Sequence, residues 1–458
     1  MDTQTAPSFI DTLDAFLGTI VGYVWNIPLV VALVGTGIML TVLLKGIQFR
    51  GFKHAIQIVS GKYKEENEPG DITPFQALCT ALSATVGLGN IAGVAVAISM
   101  GGPGAVFWMI VTGVIGMATK YAECTLSIMY REFDKNGATR GGPMYYIEKG
   151  LGPKFKGLAI FFAVATICGT FGAGNMFQTN QVASILNSNF HIPGWVTGLT
   201  LSIATAVVIL GGIKRIGSVT SKLVPFMGGI YVLGALWVII SNYEKVPALF
   251  ELILTSAFAP QSVAGGVTGF AISTVIIQGV RRACFSNEAG LGSSPIAHSA
   301  ASTKEPVREG LVSLLEPLID TVLICTMTAL VILISGIDYT TVGGVELTAQ
   351  AFSSAIPGFF GEYFIPIAVL LFAYSTLLSW SYYGEKAFNY LFGDSGVKVY
   401  KIVFCVFSFI GAIWKLGPVL NFSDIMLGLM VIPNLIALAL LFPKVKAETH
   451  RYFNNLKN

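Results

Sequence analysis

Long apolar stretches separated by short polar ones make up most of the chain, and crossing a bilayer takes about 20 predominantly apolar residues. Eleven stretches reach that length, at roughly 17–44, 73–100, 104–130, 157–187, 194–212, 223–241, 263–281, 310–336, 362–391, 398–415 and 424–442. The pattern predicts an all-α polytopic membrane protein. Inside 73–100, Thr85-Val86-Gly87-Leu88-Gly89-Asn90 places two glycines and a carboxamide in the middle of an apolar run. Each glycine costs about 1 kcal/mol relative to alanine in a helix interior and adopts angles that open the hydrogen-bond ladder. The helix is expected to break there. Backbone groups bared at bilayer depth are tolerated only in protein or beside a wet cavity, which makes the break a ready ligand site. Upstream, 47–59 spaces apolar residues helically among Arg50, Lys53 and His54, predicting an amphipathic helix on the cytoplasmic interface.

The polar run 62–71 separates an N-terminal unit, 1–70, from the bundle. Five spans then fall in 71–242 and five in 243–443, followed by a tail at 444–458. The two sets start on opposite sides of the membrane, as inverted repeats do. Transporters of that design bind substrate at the midplane, between discontinuous helices at equivalent positions in the two halves. In the second half the equivalent stretch, 264–278, is glycine-rich and contains Ser273, Thr274 and Gln278, so a second break is expected near Ser273. Ala289-Gly290-Leu291-Gly292-Ser293 echoes the first break, but it follows Arg281 and Arg282 and reads as a loop outside the membrane. Gly87, Gly89 and Gly93 are spaced one residue too long for a dinucleotide fingerprint, with no strand before them. Close helix packing accounts for Gly93, Gly113 and Gly116.

Composition agrees: 53% of residues are hydrophobic and 12% charged, about half the charged share of soluble domains, with a mean hydropathy of +0.70. Of 28 Lys and Arg, 25 fall on alternate loops, which places the N-terminus outside and the C-terminus in the cytoplasm of a cell (plasma or inner) membrane. Residues 1–17 hold Asp2, Asp11 and Asp14 but no basic residue, so the first span is expected to be retained. No basic cluster suggests nucleic acid. The six cysteines lie singly, and His54, His191, His298 and His450 fall in different segments, so neither a disulfide framework nor a metal centre is expected. Nothing pairs a nucleophile with a base, and an enzyme is not expected. A channel would show pore rings or filter loops. No organic cofactor and no obligate protein partner is expected. Lys120 and Glu123, at i, i+3, are expected to pair, or Glu123 serves an inner gate. Glu316 and Asp320 have no basic partner within a turn and are expected to face Arg281, Arg282 or a hydrophilic cavity. Asp320 is a candidate second cation or proton site.

The run 84–90 (ATVGLGN), then 101–107 (GGPGAVF) and Glu123, resembles the first two helices of transporters with the leucine-transporter (LeuT) fold. GLGNIAGVAVAISMGGPGAVFWM, MATKYAE, RGGPMYYIEKGLG and FSNEAGLGSSPIAHSAA are similar to the alanine or glycine:cation symporter family. The resemblance implies a LeuT-type 5+5 inverted repeat preceded by one extra N-terminal helix. It implies sodium-coupled symport of alanine or glycine by alternating access, with a proton-coupled or broader neutral amino acid carrier of the same fold as the alternative. Gly87, Leu88 and Gly89 would then offer N–H groups to the substrate carboxylate, with Thr85 and Asn90 beside them. Carbonyls around Ser273, Thr274 and Ile277 would receive the ammonium. Sodium would lie among the carbonyls of Ser83, Val86 and Ala373 and the hydroxyl of Thr376. Leu377 stands where such sites often carry a second hydroxyl, leaving Ser375 or Ser379 to substitute. On a regular helix Phe171, Asn175 and Gln178 share a face and would line the pocket, with Phe171 or Phe270 and Trp380 closing it. Alternatively, Asn175 and Gln178 only bond neighbouring helices.

Overall fold

The computed structural model describes residues 8–63, 68–135, 137–258, 272–356 and 358–456. Apart from one short hairpin, Glu132–Phe133 with Thr139–Arg140, the described residues form helices and their connections. The first span is two helices, α1 (Phe9–Val24) and α2 (Ile27–Leu43), bent by 46°, where a single span starting near 17 is expected. Two local features set its shape. Ser8 and Asp11 form a capping box that starts α1 early. Asn26 caps α2, whose first turn takes Pro28 at a position needing no N–H donor. The Trp25 indole donates to the carbonyl of Asp424 at 2.7 Å and ties the bend to the last helix.

Next come the short α3 (Phe52–Val59), then α4 (Pro74–Thr85) and α5 (Gly89–Gly101), which meet at 48°. They are followed by α6 (Gly104–Met129), α7 (Pro153–Phe190), α8 (Gly194–Ile209), α9 (Gly212–Ser241) and α10 (Val246–Phe258). The second half holds α11 (Ile272–Asn287), α12 (Ser294–His298), α13 (Pro306–Ser335) and α14 (Gly344–Ala355). It ends with α15 (Phe359–Phe392), α16 (Val397–Ile413) and α17 (Leu416–Asn455). Among the described residues, seven helices are long and apolar enough to cross a membrane, and the two bent pairs bring the number to nine, against the eleven expected. The expected span at 194–212 is the shorter α8, and that at 263–281 lies partly outside the described residues.

Buried charge is distributed differently from the sequence expectation. Lys120 pairs with Glu316 at 3.1 Å, not with Glu123. His298 lies between Glu309 and Glu316, its two ring nitrogens 2.5 and 2.6 Å from their carboxylates. Arg281 and Arg282 are not loop residues. Both are buried on α11, where Arg282 pairs with Asp424 of α17 and Arg281 bonds Gln278 at 2.8 Å. A guanidinium reads as a loop charge only while its partner, here 142 residues away, is unknown.

Removing one member of a buried pair strands the other, at a cost of about 3–5 kcal/mol. Asp424 also lies 3.8 Å from Arg281 Nε, so Arg282→Met is expected to lower the thermal midpoint of the detergent-purified protein by several degrees, and Asp424→Leu, which strands both guanidiniums, to lower it further. A single variant as stable as wild type would contradict the pairing.

Candidate functional site

The first break forms where the sequence predicts it. A capping box of Thr73 and Gln76 starts α4, and the helix ends at Val86. Val86 has ψ of 83°, far from the helical value near −42°, so its carbonyl swings off the helix axis. One turn of α15 meets this edge. Thr376 Oγ1 donates to the Ser83 carbonyl at 3.0 Å, and Ser375 Oγ approaches the same oxygen at 3.3 Å. Ser83 Oγ returns a bond to the Ser375 carbonyl at 2.6 Å. Ser83, Val86, Ala373, Ser375 and Thr376 are all buried, and hydrogen bonds join Ser83 to Ser375 and Thr376. Of the two serines proposed to substitute at Leu377, it is Ser375 that reaches α4.

Glycine at 87 is a steric requirement, because a Cβ there would lie 2.3 Å from Thr376 Oγ1. Two of the bared N–H groups are taken by side chains: Gly87 donates to Asn90 Oδ1 at 2.9 Å and Leu88 to Gln178 Oε1 at 3.4 Å. Thr85 turns its hydroxyl back onto the carbonyls of Ala81 and Leu82. Gln178 is held from behind by the Ala173 carbonyl at 3.0 Å. Trp380 packs so closely on Gly174 that a Cβ there would lie 2.3 Å from the indole.

Phe171 and Asn175 lie apart from Gln178. Asn175 Nδ2 donates to the Phe404 carbonyl and its Oδ1 accepts from Ser408, both at 2.7 Å, while Phe171 packs on Tyr400, Phe404 and Phe407. These two brace α7 against α16. The expected shared face assumes a regular helix, but 172–176 forms a wider π-type turn, and Asn175 bonds α16 while Gln178 bonds the first break.

The break expected near Ser273 borders residues 259–271, which lie outside the described residues, and a buried break appears further along the chain. α11 runs unbroken through Ser273, Thr274 and Ile277, with Ser273 exposed, while Phe270 lies outside the described residues. The helix ends at Asn287. Glu288, Gly290 and Gly292 then take positive φ of 58°, 87° and 82° before α12 begins. Ala289-Gly290-Leu291-Gly292-Ser293 is thus a buried break in the protein interior. It meets the first one, since a Cβ on Gly89 would lie 3.1 Å from Ser286 Cα. Glu123 Oε1 holds the turn, accepting from the Gly290 N–H at 3.0 Å and from Asn434 at 2.5 Å. The echo of Gly87-Leu88-Gly89 in Gly290-Leu291-Gly292 carries this signal, masked by the two arginines before it.

Comparison with known proteins gives the family of the chain. The model of the sodium:alanine symporter family matches residues 10–458. The chain belongs to that family. The symporter is 46% identical to the sodium/alanine symporter AgcS of Methanococcus maripaludis over 97% of this chain and 98% of that one. It is 43% identical to an uncharacterized transporter of Haemophilus influenzae, over 97% of each. Its fold resembles that of MhsT, solved in complex with L-phenylalanine, with a TM-score of 0.55 at 15% identity over 83% of this chain and all of that one. The symporter is therefore a LeuT-fold membrane transporter and not an enzyme.

Gly87→Ala is expected to cut sodium-dependent uptake by at least about tenfold, a loss of roughly 1.4 kcal/mol or more, without preventing membrane insertion. Uptake by vesicles normalised to protein content checks this. Wild-type uptake in the variant would contradict the tight contact with Thr376.

Proposed function

We propose that this member carries alanine or glycine together with sodium by alternating access, using the first break for both. The observation that carries the reading is the joint geometry at 83–90, where oxygens converge on one side of the break and N–H groups on the other.

A sodium ion fits the oxygen side. The carbonyls of Ser83, Val86 and Ala373 and the hydroxyls of Thr376 and Ser375 supply neutral oxygens without adding charge. The hydroxyls now donate to Ser83 and Phe372, and rotating them would turn lone pairs toward an ion. On the other side, the substrate carboxylate replaces Asn90 and Gln178 at the N–H groups of Gly87 and Leu88, with Gly89 beside them. An anion accepts such bonds more strongly than an amide does. The ammonium is met by carbonyls of the second break, the role first expected of Ser273, Thr274 and Ile277. Trp380 wedged against Gly174 and Phe177 packed edge-on to Phe285 at 5.1 Å favour a small side chain. Opening to each side in turn requires α15 to move against α4, which ties sodium occupancy to the conformational change. The positive-inside pattern supports a cytoplasmic C-terminus in the cell membrane.

Proteoliposomes test the reading. An inward sodium gradient should accelerate uptake of labelled alanine, and Thr376→Ala should raise the half-activating sodium concentration about tenfold, roughly 1.4 kcal/mol. Acceleration by a proton gradient with indifference to sodium would replace it with the proton-coupled alternative. Effective competition by large neutral amino acids would replace the narrow specificity.

A further inference from the structure

Near its C-terminal end, one face of α17 meets the end of α2. Lys446, Thr449, His450, Phe453 and Asn454 fall at i, i+3, i+4, i+7 and i+8 and so form a single stripe along the helix. Opposite them, the chain leaves α2 through Leu43 and Leu44 and turns through Lys45, Ile47 and Arg50. The two segments enclose a cleft of about 150 Å³, several times the roughly 30 Å³ that a water takes up in the liquid.

Four basic side chains line this cleft and no carboxylate does. Basic residues close by have partners: Lys444 donates to the Tyr130 hydroxyl at 2.7 Å, Arg308 pairs with Glu68 at 3.3 Å, and Arg451 pairs with Glu448 and Glu305. Among the described residues, no ion pair or side-chain hydrogen bond engages Lys45, Arg50, Lys446 or His450. Helix ends do not account for the cluster. The last carbonyls of α2 are already taken, Leu40 by the Leu44 N–H at 2.9 Å, Thr41 by Gly46 at 2.8 Å and Val42 by Lys45 at 3.0 Å. Lys446 stands more than two turns before the end of α17 at Asn455, and the helix dipole acts only within the last turn. Like charges gathered on one cleft repel, and an anion between them converts that repulsion into attraction.

The surroundings select the anion. Leu43, Leu44, Ile47 and Phe453 give the cleft an apolar lining, and Val42, Phe49, Phe52 and Ile56 beside it are exposed. Exposed apolar side chains at the end of a spanning helix face lipid, so the cleft opens where apolar surface gives way to charge. That is the level of the lipid phosphates, on the side that the loop charges mark as cytoplasmic.

We propose that this cleft binds the phosphate of an anionic phospholipid. Basic pockets at the cytoplasmic ends of spanning helices suit such headgroups. The planar fork of Arg50 matches two phosphate oxygens, while Lys45 and Lys446 add compact charges. A zwitterionic lipid brings a cation of its own, which the four basic groups repel. The bound headgroup bridges α2 and α17, two helices that the Trp25 indole and the Asp424 carbonyl already join near their other ends, so occupancy stabilises the fold.

Binding of labelled phosphatidylglycerol and phosphatidylcholine to the detergent-purified protein, at fixed ionic strength, tests the site. Wild type should favour phosphatidylglycerol at least about tenfold and gain in thermal midpoint with it. At about 1 kcal/mol for each basic residue near such a surface, Arg50→Gln with Lys446→Gln should weaken phosphatidylglycerol binding at least about tenfold. Lys214→Gln with Lys398→Gln removes the same charge from exposed positions on α9 and α16, and should change it less than about twofold. Equal losses in the two double variants overturn the site in favour of general surface charge. Equal binding of the two lipids overturns it as well. Inorganic phosphate that raises the thermal midpoint as far as phosphatidylglycerol does would make the cleft a site for soluble anions and overturn the lipid assignment.

Discussion

A helix broken at bilayer depth must have its bared peptide groups satisfied by the protein, because the surrounding hydrocarbon offers nothing. At 86–89 that requirement is met by side chains from distant segments. Asn90 and Gln178 take the N–H groups, while Thr376 and Ser375 point their hydroxyls at the Ser83 carbonyl. These are the same groups that an amino acid carboxylate and a sodium ion would take over. The bared groups are held by placeholders of the right polarity, so on the proposed reading ligand binding would exchange partners and leave no peptide group bare. Gly87 is fixed by the same arrangement, since a single added carbon would collide with Thr376.

The second break repeats the solution with different residues. Its turn at 288–293 is stabilised by Glu123 and Asn434 from two other helices, and its glycines take the positive φ angles that side-chain-bearing residues avoid. Glu288 takes such an angle without being glycine, with its carboxylate bonded to Ser293 and Ser294. Strain of this kind persists where the surroundings over-determine a conformation, as they do here. Because Gly89 sits against Ser286, the two breaks form one continuous polar centre inside an apolar bundle.

Much of this was legible in the sequence. Hydropathy marked the spans, and glycine placement marked the first break to within a residue. Family resemblance brought Ser83, Thr376 and Ser375 together across nearly three hundred positions. The misreadings share one cause, which is that pairing between distant residues is invisible along the chain. Arg281 and Arg282 looked like loop charges and made 289–293 read as a loop outside the membrane, when Asp424 allows Arg282 to be buried. Lys120 was matched to its sequence neighbour Glu123, although Glu316 lies nearer in space. For Asn175 a pocket role and a bond to a neighbouring helix were both open, and the π-type turn at 172–176, where Asn175 bonds α16, leaves no signature that a periodicity count can register.

The central claim is that sodium and substrate share the first break, each altering the other's hold on the same few peptide groups. Equilibrium binding of labelled alanine to the detergent-purified symporter, titrated with sodium at fixed ionic strength, tests it most directly. The account predicts that alanine affinity rises with sodium and that the rise is largely lost in Thr376→Ala. The same affinity in sodium and in choline would contradict it.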